Sequence, residues 1–301
     1  MLVSHPRCTF QGSYVALPTP FKHGEVDYGA FQGLIEWHIA SKTDGVVVAG
    51  TTGEAATLTE AEREGLLEAA LGASRGRVPV IVGVGTNATR TTIEMARRAA
   101  DAGADGLLVV TPYYNKPSRR GLVLHFSAVA EAVRKPIALY NVPSRTGVDM
   151  VPEVAKELGQ LFPHIVAVKE ALPSTERVKR LVGETPLGVL CGDDGSIVDF
   201  IELGALGVIG VLNNVVPEKV SELVRLALPG QKGKGSVRAA LIVEELAPLV
   251  RDLFIESNPV PVKTALALMR RCRDEVRLPL APLEAANRAT LEATLRACKL
   301  I

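Results

Sequence analysis

Aromatic side chains make up only 4% of this 301-residue sequence, with one tryptophan among them. That scarcity disfavours the stacked-ring platforms that bind single-stranded nucleic acid. Charge of one sign is also missing. The 34 basic residues are balanced by 33 acidic ones, so no global field draws the chain to nucleic acid or an anionic membrane. The basic pairs Arg119-Arg120 and Arg270-Arg271 are short and read as solvated helix faces. Cys8, Cys191, Cys272 and Cys298 form no CxxC pair, which points away from a zinc site and from a disulfide framework. His5, His23, His38, His125 and His164 are scattered, and no metal ligation is expected of them. No uncharged apolar stretch is long enough to span a bilayer, and residues 1–10 lack the apolar centre of a signal peptide. A reduced, cytoplasmic protein is expected.

What the chain does have is rhythm. Apolar runs end in Gly, Pro, Thr or a polar residue at 12–18 (GSYVALP), 44–50 (DGVVVAG), 78–85 (VPVIVGVG) and 105–112 (DGLLVVTP). The series continues at 136–143 (PIALYNVP), 165–171 (IVAVKEA), 186–194 (PLGVLCGDD) and 207–214 (GVIGVLNN). Continuous apolar runs of this length suit strands buried on both faces of a parallel sheet. Helical patterns lie between them, at 28–41, from Thr59 to about 74, and at 89–102, 118–133, 151–161, 174–182, 195–203 and 217–228. Thr59 with Glu62 reads as a capping box, and Phe31, Leu34, Ile35 and His38 share one helix face. Eight strand–helix units in succession predict a (β/α)8 barrel, which suits the spacing better than an open doubly wound sheet.

After 229–235 (PGQKGKG), a predicted linker, the rhythm stops. Helices are expected at 236–256, 259–273 and 282–297, with Asn258-Pro259 as a helix start. The expected organisation is a barrel over residues 1–231 and a small C-terminal helical domain over 232–301. The latter is too small to be stable alone and should pack on the barrel or on another subunit.

In a closed barrel the chemistry sits at the C-terminal ends of the strands. Lys169 ends the sixth apolar run. It is either a rim lysine that snorkels or an amine held partly desolvated, and a neutral amine can attack a ketone to give a Schiff base. Gly50-Thr51-Thr52-Gly53-Glu54 follows the second run; it is a polar turn or a set of donors for a carboxylate or proton relay. Tyr113 and Tyr114 follow the fourth run, as packing groups or as a phenolic proton carrier. Tyr140 ends the fifth, aimed at the barrel mouth. Arg145 beyond it suits either a surface ion pair or bidentate capture of a carboxylate. Asp193-Asp194 reads as helix capping through Asp194 rather than a metal site. The segment from Gly83 to Ala88 matches the dinucleotide fingerprint GxGxxA, but it stands in the third unit, and Asp105 lies at the wrong end of its strand to bind a ribose.

GTTGE at 50–54, TPYYNKP at 111–117, LYNVPSRTG at 139–147, VKEA at 168–171, GDD at 192–194 and SNPVPVK at 257–263 resemble, in order and spacing, the dihydrodipicolinate synthase family. The likeness spans nearly the whole chain. GTTGE and the lysine are shared across the wider pyruvate-dependent aldolase superfamily; PYYNKP and YNVPSRTG are more specific. The resemblance implies that Lys169 forms a Schiff base with pyruvate, with no separate cofactor and no metal, and that the enamine attacks L-aspartate 4-semialdehyde. It implies that Tyr140 and Thr52 shuttle protons and that Tyr114 completes the relay from a neighbouring subunit. It assigns Thr51, Thr52 and backbone around Gly192 and Ile209 to pyruvate, and Arg145 to the semialdehyde carboxylate. A homo-oligomer, a dimer of dimers, is implied. The pattern departs at the lysine feedback site. Asn87 and Tyr113 are present, but Ala55, Glu60, Arg63 and Thr91 replace the residues expected there, and Thr91 lacks the carboxylate that would pair with lysine's amino group. Weak or absent lysine inhibition is expected. The competing readings are an aldolase for 2-keto-3-deoxy sugar acids or 4-hydroxy-2-oxoglutarate, and a non-catalytic barrel in which Lys169 is inert.

Overall fold

A computed structural model describes residues 7–229 and 234–301. Each apolar run becomes a strand: β1 (Gly12–Ala16), β2 (Gly45–Val48), β3 (Val80–Gly83), β4 (Gly106–Val110), β5 (Ile137–Asn141), β6 (Ile165–Glu170), β7 (Gly188–Cys191) and β8 (Gly207–Gly210). Neighbours in sequence pair in parallel, and β8 closes on β1 to complete an eight-stranded barrel. All but two positions in these strands, Gly83 and Val110, are buried, because side chains alternate between the barrel interior and the surrounding helices. Ile81, Leu108, Ala138, Leu190 and Ile209 fill the interior; Val46, Val80, Leu107, Leu139 and Val168 pack outward. Gly207 has φ of 153°, and a Cβ there would sit 2.0 Å from the Gly12 carbonyl oxygen, so only glycine lets β8 approach β1.

The helices around the barrel are α1 (Tyr28–Ala40), α2 (Glu60–Ser74), α3 (Thr89–Asp101), α4 (Arg119–Ala132), α5 (Pro152–Leu161), α6 (Thr175–Glu184), α7 (Ile197–Glu202) and α8 (Pro217–Ala227), and a single helical turn, Pro143–Thr146, follows β5. The expected face of α1 is buried through Phe31, Leu34, Ile35 and His38, and the Thr59–Glu62 capping box opens α2. The pattern at 195–203 divides into a 3-10 turn, Asp194–Ser196, and α7.

Three further helices follow: α9 (Lys234–Asp252), α10 (Val260–Leu268) and α11 (Ala285–Ala297). α9 packs along α8, and α11 packs on both α9 and α10. The helix expected to reach residue 273 stops at Leu268, because Arg270 adopts the left-handed conformation with φ of 58°. Arg270 and Arg271 are therefore not on a helix face. The Arg271 guanidinium stacks on Trp37, 3.8 Å from the ring centroid. Of the linker expected at 229–235, Lys234 and Gly235 open α9 instead, while residues 230–233, with the boundary drawn there, lie outside the described residues; His5 is outside them too. Among the described residues, no helix is long and apolar enough to cross a membrane.

Candidate active site

Lys169 and Tyr140 are register partners on β6 and β5, so both side chains enter the barrel mouth. The register shifts between Ile137 and Ala138, a bulge that leaves Val166 as an extra residue before the lysine. Lys169 is buried, its Nζ 4.3 Å from the centroid of the Tyr140 ring. The next residue, Glu170, points outward and is also fully buried. Arg177 Nε donates to Glu170 at 2.5 Å, and Asn141 Nδ2 and the Leu172 amide donate at 3.0 and 2.9 Å. Burial nonetheless holds the Glu170 carboxyl above its ordinary pKa. This network fixes the end of β6 and hence the backbone that carries Lys169.

Lys169 lines a cavity of about 230 Å³, together with Tyr140, Thr51, Thr52, Arg145, Gly192 and Ile209. A Cβ on Gly192 would lie 3.0 Å from Lys169 Cε, so the bare backbone of this glycine is what leaves the amine room. Thr52 is buried, and its Oγ1 accepts a 3.0 Å bond from Asn258 Nδ2. The Asn258 carbonyl in turn accepts Arg145 Nη2 at 3.1 Å. Arg145 lines the same cavity and has no carboxylate partner among the described residues. The threonine loop is held from below by Glu54, whose Oε1 accepts Lys263 Nζ at 2.6 Å and whose Oε2 accepts the Arg277 amide at 3.0 Å. Thus a buried lysine amine, the hydroxyl groups of two threonines and a tyrosine, and a guanidinium without a carboxylate partner line one small cavity.

Asp193 and Asp194 diverge. Asp194 is buried and accepts the amides of Val211 and Leu212, each at 3.0 Å, while Asp193 accepts the Ser196 hydroxyl at 2.7 Å. The capping expected of Asp194 falls on the 3-10 turn after β8 (Leu212–Asn214), whose first amides it accepts. Burial raises its pKa to about 6. Among the described residues, no three His, Cys, Asp or Glu side chains are grouped to hold a metal.

Tyr114 does not join the cavity. It is 89% exposed, with φ of 73°, and its amide donates to the Thr146 carbonyl at 3.3 Å. Asn115 Nδ2, two residues after Tyr113, donates to the Asn87 carbonyl at 2.8 Å, and Arg63 donates to the Ala55 carbonyl. The GxGxxA match is explained by packing. A Cβ on Gly83 would lie 2.2 Å from the Ala49 carbonyl oxygen, and one on Gly85 2.4 Å from the Val110 amide nitrogen. A wider groove of about 680 Å³ runs outside the barrel between α2 and α3, but no nucleophile converges on it. Sequence reasoning gave no role to Asn258 or to the Glu54–Lys263 pair; the only signal for them was their place within the GTTGE and SNPVPVK segments.

A family model described as the Dihydrodipicolinate synthetase family matches residues 9–298. The chain belongs to this family. A curated relative from Geobacter metallireducens, named 4-hydroxy-tetrahydrodipicolinate synthase, a lyase, is 45% identical over 97% of this chain and the whole of that protein. The solved dihydrodipicolinate synthase of Aquifex aeolicus superposes with a TM-score of 0.94 at 46% identity, covering 97% of this chain and 99% of that one. The chloride-inhibited dihydrodipicolinate synthase of Acinetobacter baumannii, solved in complex with pyruvate, has a TM-score of 0.93 at 41% identity, covering 97% of this chain and all of that one.

Proposed function

We propose that this chain condenses pyruvate with L-aspartate 4-semialdehyde through a Schiff base on Lys169, a step toward diaminopimelate and lysine. The observation that carries this reading is the buried Lys169 amine facing Tyr140 in a cavity of about 230 Å³ that also holds Thr51, Thr52 and Arg145.

The Lys169 amine adds to the ketone carbon of pyruvate, and loss of water gives an iminium ion. Loss of a methyl proton gives the enamine, whose carbon attacks the aldehyde of the second substrate. That substrate's own amine then displaces the lysine as the ring closes. Thr51, Thr52 and the backbone at Gly192 and Ile209 hold the pyruvate. Tyr140 and Thr52 pass protons as a hydroxyl chain, so that no free phenolate need form. Arg145 binds the semialdehyde carboxylate as a planar fork. A sugar-acid aldolase would want hydroxyl readers at that position. No separate cofactor enters this scheme, and its setting is the cytoplasm.

Tyr114, exposed on the single chain, reaches a neighbouring subunit's site in a homo-oligomer, a dimer of dimers. Mixing Tyr114→Phe chains with Lys169→Ala chains should restore turnover if the hydroxyl crosses the interface. The central experiment is borohydride reduction with pyruvate. One pyruvyl adduct on Lys169 is expected, with none in Lys169→Ala; a folded protein that gains no adduct refutes the reading.

A further inference from the structure

We propose that Asn258 is a positioning residue that sets the direction of the Thr52 hydroxyl proton and so gives the proton relay its polarity. This rests on the Schiff-base reading above and deepens it.

Asn258 belongs to no barrel strand; it stands just before α10 and is 5% exposed. Its Nδ2 reaches Thr52 Oγ1 at 3.0 Å. A threonine hydroxyl has one proton and two acceptor positions, whereas an amide NH2 only donates. One acceptor position of Thr52 is therefore committed to Asn258, and the Thr52 proton must point elsewhere. Thr52 is 2% exposed, and the cavity it lines contains Tyr140 and Lys169. The proton is thus directed into the cavity, and one acceptor position is left free. A group with one proton to give and one place to receive another is what a one-way proton pass needs.

The same residue also holds the second substrate's reader, since its carbonyl accepts Arg145 Nη2 at 3.1 Å. The contact is fixed at its far end as well. Lys263, five residues after Asn258, binds Glu54, two residues after Thr52, at 2.6 Å. Segment 258–263 and loop 52–54 are therefore joined at two points, which holds the Asn258 backbone beside Thr52.

Two substitutions test the assignment, with turnover measured against both substrates and pH, and pyruvate trapping measured on the same proteins. Asn258→Ala removes the donor but keeps the carbonyl that holds Arg145. Turnover should fall roughly tenfold, the scale of one lost hydrogen bond, while both KM values and the trapped adduct stay as in the unsubstituted protein. Asn258→Asp places an acceptor against Thr52 when ionised and recovers a donor when protonated. Its deficit relative to the unsubstituted protein should shrink as pH falls, whereas that of Asn258→Ala stays flat. A merely structural role would raise KM or lower trapping and would give the two variants parallel pH profiles. Unchanged turnover in Asn258→Ala, or parallel profiles with the adduct intact, overturns the proposal. No adduct in the unsubstituted protein overturns the Schiff-base reading beneath it instead.

Discussion

Replacing Lys263 with methionine should destabilise the fold strongly, although the change lies outside the barrel. The Lys263 side chain is fully buried, bound to a Glu54 side chain that is 1% exposed and lying 4.2 Å from the centroid of the Phe21 ring. Burial holds its ammonium below the ordinary lysine pKa, outweighing the pull of Glu54. Methionine fills nearly the same volume, so the loss is chiefly one of charge. Glu54 would be left desolvated, with the Arg277 amide at 3.0 Å as its one remaining hydrogen-bond donor among the described residues. An uncompensated buried charge costs about 3–5 kcal/mol. In a chain of this length that corresponds to a fall of about 5–8 °C in Tm. Adding Glu54→Gln removes the stranded charge while keeping an acceptor for the Arg277 amide, so the double variant should recover most of the loss. Thermal melts followed by circular dichroism on the three proteins read this directly. The reasoning is refuted if Lys263→Met melts within a degree or two of the unsubstituted chain, or if the double variant melts below the single one.

Gly192→Ala should slow pyruvate trapping more than tenfold by crowding Lys169 Cε, 3.0 Å from the new Cβ; an unchanged trapping rate would show that the amine has slack. Asp194 has a pKa near 6 against an ordinary 3.8. Between these values the folded state binds the extra proton, so this carboxyl's contribution to stability falls as pH rises from about 4 to 6 and is flat above. Melting Asp194→Asn beside the unsubstituted chain across that range should show their difference drifting in the variant's favour; a constant difference would contradict the assignment. L-lysine added up to the concentration of the substrates should leave turnover unchanged, because Arg63 and Thr91 offer it no carboxylate. Half-inhibition below that level would refute this.

Lys169 and Tyr140 were legible in the sequence because their placement depends only on local rules. A strand alternates its faces, and a parallel barrel puts the ends of its strands at one mouth, so a polar residue ending an apolar run has few places to go. The same rules disposed of the GxGxxA match, since its unit was the wrong one for a dinucleotide. What was not legible is whatever depends on which distant segments meet. Asn258 and Thr52 are 206 residues apart, and periodicity assigns a face to each element without naming the surface it will pack against. The overrun of the helix past Leu268 has a more local cause: the residues beyond it still suit a helix, and only the left-handed turn at Arg270 ends it. These cases differ in a way that bears on the chemistry. The buried lysine is set by the barrel, whose geometry recurs wherever eight such strands close. The hydroxyl beside it is aimed by a segment beyond the eighth unit. A substitution near Asn258 should therefore alter how protons move through the site while leaving the lysine able to bind its keto acid.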